Sequence, residues 1–80
     1  MKPEDIEQEV IYIVSEQFDE PESAIDRDTN FYVDLNADSL DTIELIMELE
    51  DEFEIGIDNE EAEYMRTVGD VVDWLVNRLS

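Results

Sequence analysis

Three stretches of this chain carry apolar residues every three or four positions, and the segments between them are polar. Such spacing marks amphipathic helices. The first helix is predicted to begin near Pro3, a residue suited to the first helical position, with Glu4 and Asp5 in the first turn. Ile6, Val10, Ile13 and Val14 form its apolar stripe, widened by Ile11 and Phe18, while Glu7, Glu9 and Glu16 lie off it. It should stop between Gln17 and Glu20, because Pro21 disfavours helical geometry in the residue before it. The second helix is predicted from about Ser39 to Phe53. At ~100° per residue, Thr42, Leu45, Ile46, Leu49 and Phe53 share one side. Leu40, Ile43 and Met47 fall on nearly the opposite side.

Gly56 is expected to break the second pattern. Asp58 would cap a short helix through Glu60, Glu61, Ala62, Glu63 and Tyr64. Thr67-Val68-Gly69-Asp70 reads as the start of the last helix, with Thr67 as cap and Asp70 as a shorter stand-in for the glutamate of a capping box. Val68, Val71, Val72, Leu75, Val76 and Leu79 then make a continuous apolar face, with Arg78 in the last turn and Trp74 partly exposed. From Pro21 to Ala37 lies a long loop rich in turn formers, namely Asp26, Asp28, Thr29 and Asn30. Ile25, Phe31, Val33 and Leu35 are expected to pin it to the core, and a helical turn fits Glu22 to Ile25. No stretch reads as a strand. The predicted fold is all-α: a small four-helix bundle, three helices longer and one short, with the long loop between the first and second.

Eighty residues make one domain, 1–80, with a single modest core. Hydrophobic residues are 42% of the chain, enough for a packed bundle. Charge changes the picture most: 25 acidic against 4 basic residues give a formal −21. Nucleic acid and anionic membrane surfaces are disfavoured as partners, since both require Lys and Arg. Basic proteins and divalent cations are favoured, and self-repulsion points to a monomer. There is no cysteine, hence no disulfide and no thiolate metal site. Lack of histidine removes the commonest general base and metal ligand. No apolar run approaches the roughly 18 residues of a spanning helix. Met1-Lys2-Pro3-Glu4-Asp5 lacks the regions of a signal peptide. A cytoplasmic location is expected, or an organelle whose targeting segment is missing.

Enzymatic readings are weak. Carboxylate pairs are unavoidable with so many acids, Ser39 has no histidine to activate it, and two isolated glycines build no phosphate loop. Asp26, Asp28 and Asn30 match the first, third and fifth positions of a calcium loop. Phe31 stands where the sharp-turn glycine belongs, and Ala37 where the bidentate glutamate belongs, so no EF-hand is expected. What remains is Ser39 itself. A serine or aspartate at a helix start is often just a cap. Capping does not account for the apolar and acidic face that runs down the same helix. An anion esterified to Ser39 would sit beside free backbone N–H groups at the positive end of the helix dipole.

Asp34-Leu35-Asn36-Ala37-Asp38-Ser39-Leu40-Asp41-Thr42-Ile43-Glu44-Leu45 closely resembles the serine motif of the acyl carrier proteins of dissociated fatty-acid and polyketide synthesis. The similarity continues through Met47-Glu48-Leu49-Glu50-Asp51-Glu52-Phe53 to Asp58, Glu60-Glu61-Ala62-Glu63, Thr67-Val68 and the last helix. The resemblance implies a carrier, not an enzyme. Ser39 would bear 4′-phosphopantetheine, placed there from coenzyme A by a phosphopantetheinyl transferase, with Asp38 helping to position that enzyme's site. Acyl chains would ride on the arm as thioesters and shelter between the helices. Leu40, Ile43 and Met47, with Glu44, Glu50 and Asp51, would dock onto basic surfaces of fatty-acid or polyketide synthase enzymes. Asn36 stands where the family often has glycine, and Asn tolerates the left-handed geometry of such a turn. Ile57-Asp58-Asn59 lacks the proline common after the isoleucine. Neighbouring readings are a specialised polyketide or lipid carrier, an aminoacyl carrier, an unmodified acidic adaptor and a cation-stabilised acidic protein.

Overall fold

The computed structural model describes residues 2–79. Helix α1 spans Pro3–Phe18, with proline in its first turn, and buries Ile6, Val10, Ile13 and Val14. It ends where Asp19 enters the left-handed region, φ 54°. The Asp19 and Glu20 N–H groups both donate to the Ser15 carbonyl, the arrangement by which αL residues close helix ends. A 3₁₀ turn, Glu22–Ala24, follows. Helix α2 is Ser39–Phe53, α3 the short Asn59–Glu63 and α4 Val68–Leu79. Among the described residues there is no strand, only an isolated bridge between Asn30 and Thr67.

The loop between α1 and α2 is fixed rather than loose. Phe31 N–H donates to the Arg66 carbonyl at 2.9 Å, Val68 N–H to Thr29 at 3.0 Å and Gly69 N–H to Arg27 at 2.9 Å. These bonds lace the loop to the start of α4. They also explain Gly69: a Cβ there would stand 3.0 Å from the Arg27 carbonyl oxygen. Arg27 then ties two helices, reaching Glu7 on α1 at 3.2 Å and Asp73 on α4 at 2.6 Å. Asp26 accepts from the Asp28 N–H, and Asn30 accepts through its side chain from Tyr32 and Val33. Two of the calcium-like positions therefore close the loop on itself.

The core is built from α1, from Leu45 and Leu49 of α2, and from Val68, Val71, Val72 and Leu75 of α4. Ile25, Phe31, Ile57 and Met65 close it from the connecting segments. The Phe31 ring stacks on Phe18 with centroids 6.4 Å apart. Trp74 is half-buried, with Arg78 above its ring at 5.7 Å.

Two expectations need correction. Val33 does not pin the loop; it is 80% exposed, because the turn built on Asn30 points it outward. Gly56 does not break α2. The break is at Glu54, φ 54°, whose N–H returns to the Glu50 carbonyl, and no glycine has a positive φ. The continuous apolar face expected of α4 packs on the core, with Val76 and Leu79 half covered near the end of the bundle.

Candidate functional site

Ser39 is the first residue of α2 and is exposed. Asp38, the residue before it, caps the helix. Its carboxylate accepts from the Asp41 N–H at 2.9 Å, and Asp41 accepts in return from the Asp38 N–H at 3.1 Å. Asp41 thus plays the capping-box part usually filled by glutamate. The sequence pattern offered Asp38 as a cap, but Asp41 was not marked as its counterpart. With Asp41 N–H taken by the cap, the Ser39 and Leu40 N–H groups remain without an intrahelical acceptor, as helix geometry requires. The approach to the cap is set by Asn36, φ 55°, the left-handed turn expected of it. Ala37 N–H then donates to the Phe31 carbonyl at 2.9 Å and fixes Asp38 and Ser39 against the loop.

Behind Ser39 opens a cleft of about 520 Å³ between α2, α3 and the core. Its size falls within the ~300–1,000 Å³ usual for small-molecule sites. Ser39, Thr42 and Tyr32 stand at the α2 side, Asn59 and Glu63 at the α3 side, and Phe31, Leu45, Ile46, Met65 and Val71 supply apolar wall. Thr42 donates its hydroxyl hydrogen to the Ser39 carbonyl at 2.9 Å, which engages its one donor. Helix α3 buries none of its own residues, which leaves this side of the bundle open. The periodicity of α2 assigns Leu45 and Ile46 to the core; the resemblance implies shelter between the helices without saying which residues form it. The lining of the cleft comes from four separate segments.

The outer face of α2 carries Leu40, Ile43 and Met47, exposed by 61%, 57% and 61%. Ile43 also reaches the cleft. Glu44 is exposed and accepts from Gln17 of α1 at 3.0 Å. Asp51 is exposed and shares a shallow depression with Met47, Glu48 and Glu50. Glu50 is only half exposed. Its carboxylate accepts from the Ile57 N–H at 2.9 Å and holds the segment after α2. Among the described residues no group of three or more acids is arranged to hold a metal ion.

An exposed serine thus stands at a helix start, with an apolar cleft beside it and an acidic, partly apolar face along the helix. The family model described as "Phosphopantetheine attachment site" matches residues 8–75. The acyl carrier protein of Prochlorococcus marinus (strain MIT 9515) is 49% identical over 75 residues, covering 94% of each chain. A solved structure of the acyl carrier protein from Enterococcus faecalis superposes with a TM-score of 0.81 at 42% identity, covering 96% of this chain and 98% of that one. The chain belongs to the acyl carrier protein family. It is a carrier and not an enzyme, its prosthetic group is a covalent 4′-phosphopantetheine, and synthase enzymes and acyl chains are its counterparts.

The residues present fit that group. Ser39 is exposed, the first-turn N–H groups can face a phosphate, and an apolar cleft begins at the same residue.

Proposed function

We propose that Ser39 is the attachment residue and that this chain carries acyl intermediates of fatty-acid or related synthesis. The observation that supports it is the position of Ser39, exposed at the start of α2 and on the rim of the apolar cleft. When bound, the prosthetic group supplies a terminal thiol on which acyl groups are held as thioesters. The first turn of α2 orients the phosphodiester end through its N–H groups and dipole. The cleft walls Phe31, Leu45, Met65 and Val71 give an acyl chain an apolar refuge from water. Histidine does not occur in the chain. Ser39 therefore needs an external base, which a phosphopantetheinyl transferase provides. Asp38 holds the helix start in register for that enzyme.

Leu40, Ile43 and Met47, flanked by Glu44, Glu50 and Asp51, form the docking face for basic surfaces on the transferase and the synthase enzymes. Charge complementarity speeds encounter, while a small apolar patch keeps affinity modest. A carrier that visits many enzymes needs both. The −21 charge supports a monomer, and no helix among the described residues is long and apolar enough to cross a membrane. We place its work in the cytoplasm, as a single domain over residues 1–80.

The test is intact mass after incubation with coenzyme A and a broad-specificity phosphopantetheinyl transferase. The parent chain gains one phosphopantetheine and Ser39→Ala gains none. A modified Ser39→Ala chain, or an unmodified but folded parent beside a working control carrier, overturns the assignment.

A further inference from the structure

Two apolar side chains in the loop that leads to Ser39 remain uncovered. Tyr32 is 45% exposed and Val33 80% exposed. Their backbone is not free to turn them inward. Asn30 accepts through its side chain from the Tyr32 N–H at 2.9 Å and from the Val33 N–H at 3.0 Å. Asp34 closes the same turn, accepting from the Asn30 N–H at 2.8 Å and donating its own N–H to the Asn30 carbonyl at 2.9 Å. Buried Phe31 anchors the preceding residue. The result is a rigid two-residue knuckle that contributes little to the core. Rigid presentation lowers the entropy lost on binding.

Position and charge indicate what the knuckle meets. Tyr32 lines the same cleft as Ser39, and the Ala37 N–H donates to the Phe31 carbonyl at 2.9 Å, which ties the root of the knuckle to the segment leading to Ser39. Asp34 and Asp38, both exposed, flank it. An enzyme acting at the far end of a flexible arm can dock at a distance from Ser39. The enzyme that forms the ester at Ser39 must bring its own site to that hydroxyl, and its surface must cover the neighbouring residues. We propose that Tyr32 and Val33 form a docking knuckle for the Ser39-modifying transferase, seated in an apolar notch edged by Lys or Arg side chains. This rests on Ser39 being the attachment residue.

The test is the rate of loading from coenzyme A as a function of carrier concentration, with a transferase that modifies the parent chain. Val33→Ser removes apolar surface without adding charge, and Val33→Leu restores it. Val33→Ser should raise KM for the carrier about fivefold with kcat within about twofold, as expected for lost apolar contact made equally in ground and transition states. Val33→Leu should load like the parent. Tyr12→Ser, an exposed residue on α1 outside the cleft, should change nothing, and melting temperatures should agree throughout. An unchanged KM for Val33→Ser overturns the proposal. So does a defect seen only with a synthase enzyme acting on the loaded arm, or a parent dimer that Val33→Ser dissociates. A parent chain that takes up no phosphopantetheine is a different failure. It removes the attachment reading, and the knuckle falls with it.

Discussion

Helices α2 and α4 are comparable in length, 15 and 12 residues, yet they use their apolar residues differently. Val68, Val71, Val72 and Leu75 of α4 are all inside the bundle. Helix α2 buries only Leu45 and Leu49 and leaves Leu40, Ile43 and Met47 in solvent. A helix can turn one stripe to one core. Apolar residues beyond that stripe do not serve the fold, and here they lie on the helix that begins with Ser39. The comparison separates a helix that holds the bundle together from one that the bundle displays.

The largest effect that could break this contrast is at Leu75. Leu75→Ala should lower unfolding free energy by about 2–5 kcal/mol, read from urea denaturation. Met47→Ala should stay within about 0.5 kcal/mol while weakening association with a synthase enzyme. Equal destabilisation by the two would mean that the outer face of α2 is core after all.

Next come the residues that aim α2. Asn36→Ala forces a side chain poorly suited to φ 55° and should cost about 1 kcal/mol. Asn36→Gly should be close to neutral. Asp38→Ala removes the cap and should also cost about 1 kcal/mol. Both losses are expected in thermal melts, and Asp38→Ala should in addition slow loading of Ser39.

How far these features were legible in the sequence follows the range of the interactions. Local chemistry was readable. Pro3, Pro21 and the Thr67–Asp70 pair marked helix limits, and Asn36 disclosed a left-handed turn. Thr67 and Asp70 do exchange bonds, each N–H reaching the other's side chain at 3.1 Å. Features assembled from distant segments were not readable. Val33 looks like any core valine until Asn30 captures its N–H. Gly56 looks like a helix stop, whereas Glu54 takes the left-handed turn. The cleft needs Phe31, Leu45, Met65 and Val71 brought together, and no periodicity encodes that. Arg27 is the same kind of case, joining Glu7 and Asp73 across 20 and 46 residues.

Arg27 sharpens the comparison because its ion pairs brace α1 and α4 while leaving α2 alone. All three side chains are substantially exposed, so Arg27→Ala should cost less than about 1 kcal/mol. The loss should shrink in added salt, where the pairs are screened. Loading of Ser39 should be unaffected. A loading defect in Arg27→Ala would show that the two sides of the bundle are coupled.

The smallest effect concerns a contact where acids from α1 and α2 oppose each other. Glu9 lies against Glu52, and Tyr12, Glu16, Gln17 and Glu48 line the same groove. A side-chain hydrogen bond to Glu52 raises the Glu9 pKa above its ordinary 4.5, helped by partial burial and by the Glu52 charge. Folding therefore favours the protonated form. Its contribution is complete below the unfolded pKa and is lost as pH rises through the higher folded value. Deprotonated Glu9 loses that hydrogen bond and meets the Glu52 charge. Glu9→Gln keeps a hydrogen-bond donor and removes the charge. It should match the parent's melting temperature in acid below the carboxylate range and exceed it slightly at neutral pH. The gap should open as pH climbs through the Glu9 titration. A gap that is constant across that range would mean that Glu9 and Glu52 do not share a proton, and that α1 and α2 meet there without electrostatic strain.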